Sequence, residues 1–107
     1  MKAKIIKDVS IEQLRKMLPP VFIQKINYVS NFKANCTCLL FGANSHNVII
    51  SSTINKTLKK VNSHGNLIAC AYTFTQEAKE ILTKNKVFII EISDFYWTDE
   101  SYENIKK

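Results

Sequence analysis

From Asn66 to Ile92 the chain reads as strand, helix, strand. Leu67 to Tyr72 is a short continuous apolar run, and Val87 to Ile92 is a second, interrupted only by Glu91. Runs of this length suit strands covered on both faces, as in a parallel sheet. Between them Phe74, Ala78, Ile81 and Leu82 recur at helical spacing, with Glu77 and Glu80 early and Lys84 and Lys86 late, the order the helix dipole favours. The pattern predicts a βαβ unit whose crossover is right-handed.

Upstream the signals are shorter. Lys2 to Lys7 carries Ile5 and Ile6 and predicts an edge strand. Ser10 followed by Gln13 forms a capping box, Ile11, Leu14, Met17 and Leu18 supply an apolar stripe, and Pro19-Pro20 stops that helix. Val21 to Ser30 fits a second helix with Pro20 in its first turn, since Phe22, Ile23, Ile26 and Val29 repeat with helical period; strand is the alternative there. Cys36 to Ala43 and Asn47 to Ser52, joined by Asn44-Ser45-His46, read as a β-hairpin. Thr53 is placed to cap a helix with Ile54, Leu58 and Val61 on one side and Lys56, Lys59 and Lys60 on the other. Asn62 to Gly65 ends it, and Thr98 is placed to cap a terminal helix. The expected fold is a single α/β domain over residues 1–107: a mixed β-sheet with a hairpin and a C-terminal βαβ unit, and helices packed on the sheet.

Charge adds what periodicity does not show. The formal net charge is +6, and no acid lies between Gln13 and Gln76, while Arg15, Lys16, Lys25, Lys33, Lys56, Lys59 and Lys60 all do. A purely basic block is thus followed by an acidic C-terminal segment. No apolar run approaches the ~18 residues of a membrane span, and no signal-peptide core follows Lys2, Lys4 and Lys7. The cysteines, Cys36, Cys38 and Cys70, form no even disulfide framework. A cytoplasmic protein without membrane contact is the expectation. Cys36-x-Cys38 lacks the usual zinc-knuckle spacing, and His46 and His64 fall in expected turns, so buried thiols are favoured over a metal site and no cofactor is implied.

An apolar strand ending in Tyr72-Thr73-Phe74-Thr75, the Ala78-Lys79-Glu80 turn of the next helix, and Val87 to Ile92 leading into Asp94-Phe95 resemble the C-terminal half of Mrr-type restriction endonuclease-like domains. The resemblance covers about a third of the chain. It implies a nuclease site made of an acid at a hairpin and a Glu/Gln-x-Lys on the next strand, holding Mg²⁺ between carboxylates. Cys36 to Ser52 contains no acid, and the sole Glu-x-Lys, Glu77-Ala78-Lys79, falls on a helix where residues two apart point about 200° apart. The resemblance therefore implies a member of that fold without its nuclease motif.

Three places carry candidate chemistry. Lys56, Lys59 and Lys60, with Lys33, form a candidate phosphate-binding face, so DNA or RNA is the first expected partner. Arg15 is the only arginine, which argues against base-specific readout. Open α/β sheets bind ligands beyond the carboxyl ends of their strands, which here carry Thr73, Thr75, Glu91 and Asp94 as a candidate ligand edge. Tyr96, Trp97 and Tyr102 concentrate aromatic anchors for a protein partner in the acidic segment. The leading expectation is a non-catalytic domain binding nucleic acid, or a protein that handles it, through the lysine face. The alternatives are a small enzyme or small-molecule-binding protein using the strand-end edge, and an interaction module using the aromatics.

Overall fold

The computed structural model describes residues 3–26, 35–44, 46–61 and 66–95, with the side chains of all of these except 24–26, 94 and 95. The elements in order are β1 (Lys4–Val9), α1 (Ile11–Met17), α2 (Pro20–Ile26), β2 (Cys36–Leu40), β3 (Val48–Ile49), α3 (Ser51–Lys59), β4 (Asn66–Ala71), β5 (Thr73–Phe74), α4 (Gln76–Lys84) and β6 (Val87–Glu91). A 3₁₀ turn, Ile92–Phe95, follows. The stretch from Val21 is helical as far as Ile26. Residues 27–30, Gly65 and the expected helix from Thr98 lie outside the described residues.

The principal sheet has the order β1-β2-β4-β6, with β1 antiparallel to β2 and the other pairs parallel. β4 and β6 run side by side from Leu67↔Val87 to Ala71↔Glu91, and α4 crosses between them with Ala78 and Leu82 buried. This is the βαβ unit that the two apolar runs predict. β1 is an edge strand, as expected of the lysine-flanked Ile5-Ile6 segment.

The expected hairpin is corrected. β2 pairs with β1 and β4, while β3 belongs to a separate two-stranded sheet beside β5, with Val48↔Thr73 and Ile49↔Phe74 in parallel register. Cys36, Thr37, Cys38 and Leu39 are buried on both faces of β2. A strand apolar on successive residues belongs in a sheet interior, and two-residue β3 is too short to serve as its neighbour. The run shows that β2 is central without showing which strands flank it.

Two cores result. On one face Ile11, Leu14, Leu18 and Phe22 of α1 and α2 and the turn between them pack on Ile6, Cys36, Cys38, Ile68, Cys70 and Ile90. On the other, Ile54 of α3 and Ala78 and Leu82 of α4 pack on Leu39, Ala69, Ala71 and Val87, with Phe41 and Phe74 edge to face at 5.9 Å. Strand alternation sends Cys36 and Cys38 to the same side, as their spacing predicts. α3 and α4 both return from the carboxyl edge of the parallel strands to the amino edge, so both end at that amino edge.

The capping signals are partly upheld. Ser10 Oγ accepts from the Gln13 N–H at 3.1 Å, and Gln13 Oε1 accepts from the Ser10 N–H at 3.0 Å. Ser10→Ala is expected to cost about 1 kcal/mol, read as a lower urea midpoint with unchanged slope. Thr53 is not a cap. α3 begins two residues earlier behind Ile50, which offers no side-chain hydrogen bond, and the Thr53 carbonyl accepts from Thr57 Oγ1 at 2.8 Å. That bond satisfies the Thr57 hydroxyl, so threonine can occupy a buried position of α3.

Candidate functional site

The carboxyl edge of the sheet is organised by Glu91, the last residue of β6. Its side chain is buried, and Oε2 accepts from the Phe74 backbone N–H at 3.0 Å and from Thr73 Oγ1 at 3.3 Å. Oε1 pairs with Lys79 Nζ at 2.5 Å, and the lysine is 31% exposed against 4% for the glutamate. One carboxylate therefore ties β6 to β5 and α4. A buried charge is tolerated only with such a set of partners. Lys79, to which the sequence assigns no partner on β6, is the charge that lets Glu91 interrupt an apolar strand.

Thr75 is the N-cap of α4: its Oγ1 accepts from the Ala78 N–H at 3.2 Å. Thr73 instead donates to Glu91. The Ser93 N–H donates to the Tyr72 carbonyl at 3.0 Å, and its buried hydroxyl has no hydrogen-bond partner among the described residues. Asp94 lies in the closing 3₁₀ turn, but its side chain, like Tyr96, Trp97 and Tyr102, is outside the described set. The strand-end candidates Thr73 and Glu91 are thus brought together, in contacts that hold backbone and helix rather than leaving a carboxylate free for a ligand.

The lysine candidates lie elsewhere. Lys56, Lys59 and Lys60 are exposed on the outward side of α3 and at its end, opposite buried Ile54 and Thr57. Lys33 lies outside the described residues. Lys16 is exposed on α1, which packs on the other face of the sheet, so it does not join them. His46 is an exposed turn residue whose N–H donates to Asn44 Oδ1 at 2.8 Å.

The thiols of Cys36, Cys38 and Cys70 are all free and buried, with Cys38 Sγ and Cys70 Sγ 3.7 Å apart. The Cys70 thiol is pushed up by its hydrogen bond with Cys38, then by burial and by the neighbouring thiols; Cys36 is pushed up by burial, then by Cys38. Cys36 and Cys70 are thereby held protonated, which makes them poor nucleophiles and poor metal ligands.

Pairing β1 with β2 changes where an acid stands relative to β2. Asp8 lies in the irregular end of β1, in left-handed conformation at φ 51°, and its N–H donates to Thr37 Oγ1 at 3.3 Å. An acid therefore does stand beside β2, although not in the segment where the resemblance would look for it. The Mg²⁺ site of the resembled family still does not fit. Asp8 is a single carboxylate, β2 offers buried thiols where a Glu-x-Lys is needed, and no group of three His, Cys, Asp or Glu among the described residues is placed to hold a metal ion. Among those residues no helix is long and apolar enough to cross a membrane. No family model, curated protein or solved structure matches the chain.

Proposed function

We propose that this chain is a non-catalytic α/β domain that binds the sugar–phosphate backbone of nucleic acid through the lysine face of α3. The observation that carries the reading is the segregation of α3: Lys56, Lys59 and Lys60 exposed on one side, Ile54 and Thr57 buried on the other, in a stretch with no acid from Gln13 to Gln76. Lysines at this spacing lie on adjacent turns about 6 Å apart, close enough to meet neighbouring phosphates. Lysine acts as a point charge, so such contacts position a backbone without reading bases. The carboxyl edge supports the non-catalytic half of the reading, because Glu91 is already engaged by Phe74, Thr73 and Lys79.

The test is fluorescence anisotropy with labelled duplex and single strands over a range of salt. Affinity is expected to fall with a slope near −0.9 per phosphate neutralised on duplex, and replacing Lys56, Lys59 and Lys60 by alanine is expected to flatten it by about two to three units. The loss should be uniform across sequences and leave the melting temperature within a few degrees, since these residues are exposed. No binding at about 50 mM salt, or a slope untouched by the triple substitution, discards the reading.

A further inference from the structure

Both helices of the second layer end at the amino edge of the parallel strands, and both end in lysine. α3 closes with Lys59 and Lys60, and α4 closes with Lys84 and continues through Asn85 to Lys86 before β6 begins at Val87. The register Leu67↔Val87 sets Lys86 level with Asn66, the first residue of β4. The two lysine groups therefore stand at the same edge of the sheet, on adjacent helices, although more than twenty residues separate them in the chain. Lys84 and Lys86 are exposed, like the α3 lysines. The acids of α4, Glu77 and Glu80, lie in its first half, toward the opposite edge, with Glu80 one turn from Lys84.

Lys86 adds an independent observation. It sits at φ 59°, with its N–H donating to the Thr83 carbonyl at 3.0 Å, just past the helix in the left-handed position where glycine is favoured. A β-carbon there costs about 1 kcal/mol or more, so the backbone at this turn does not ask for a lysine.

We infer that the ligand is a double-stranded nucleic acid, gripped by two lysine rows: Lys56, Lys59 and Lys60 on one phosphate strand, and Lys84 and Lys86 on the other. This rests on the reading of the α3 face proposed above. One row of lysines serves a single strand equally well. Two rows on adjacent helices of one layer favour a duplex, which presents two phosphate strands side by side.

The experiment measures a 20-base-pair duplex and its single strand against the wild type, the α3 triple-alanine protein, Lys84→Ala/Lys86→Ala and Lys86→Gly. Wild type is expected to prefer duplex, and Lys84→Ala/Lys86→Ala is expected to lose about tenfold on duplex, flatten its slope by one to two units and narrow that preference. Lys86→Gly is expected to bind duplex more weakly while melting no lower than wild type, which a merely structural lysine would not produce. Duplex binding that depends on the α3 lysines but is unchanged in both Lys86 variants overturns the second row and leaves the α3 reading standing. Equal affinity for single strands overturns the duplex assignment. No binding by wild type overturns both proposals.

Discussion

Glu91→Ala is expected to cost about 3–5 kcal/mol, enough to remove much of the stability of a domain this size. The substitution deletes the acceptor of the Phe74 N–H and the Thr73 hydroxyl and leaves Lys79, about two-thirds covered, without its carboxylate. Orphaned buried donors cost about 1–3 kcal/mol each, and the lysine adds the loss of its partner. Glu91→Gln keeps an acceptor for the backbone and should cost distinctly less. Lys79→Met, which leaves the buried carboxylate without its cation, should cost more than Glu91→Gln and less than Glu91→Ala. Urea unfolding of the three variants checks the order. If Glu91→Ala unfolds within 1 kcal/mol of wild type, the carboxylate is not the tie between β6, β5 and α4.

The second large effect is alkaline. Cys36 and Cys70 are both pushed up in the fold, whereas in the unfolded chain a thiol ionises near pH 8.5. Below that pH both states hold the thiol protons and stability is flat. Above it the unfolded chain releases them while the fold does not, so stability falls as pH rises, by up to about 1.4 kcal/mol per thiol per pH unit. By pH 9.5 the two thiols together remove up to roughly 3 kcal/mol. Urea midpoints from pH 7 to 9.5 under reducing conditions should show this decline in wild type and its near absence in Cys36→Ala/Cys70→Ala. Identical pH profiles in the two proteins would show that the thiols ionise inside the fold.

Particular residues show how far the chain could be read in one dimension. Ala78, Ile81 and Leu82 between two apolar runs define the βαβ unit, because a strand buried on both faces and a helix covering it leave periodicities that need no partner to be recognised. Ser10 with Gln13 works for the same reason, since a capping box closes within four residues. The hairpin fails because its evidence is the same apolar run that a central strand shows, and choice of neighbour is a long-range matter. Thr53 fails because α3 starts uncapped behind Ile50. Of the candidate site, the α3 lysines are legible from the helical wheel. The role of Lys79 and the company of Lys84 and Lys86 are not.

The sequence by itself determined the class of the fold, the crossover between β4 and β6, the side of β2 to which Cys36 and Cys38 turn, and the basic side of α3. Each depends on contacts or repeats within one element or between consecutive ones. Only the tertiary structure decided that β2 lies between β1 and β4, that β3 pairs with β5, that Lys79 neutralises Glu91, and that two lysine-tipped helices end at one edge of the sheet. Those pairings join residues far apart in the chain, and their partners are chosen by burial from both sides at once. An isolated stretch of sequence carries no record of what will lie across from it.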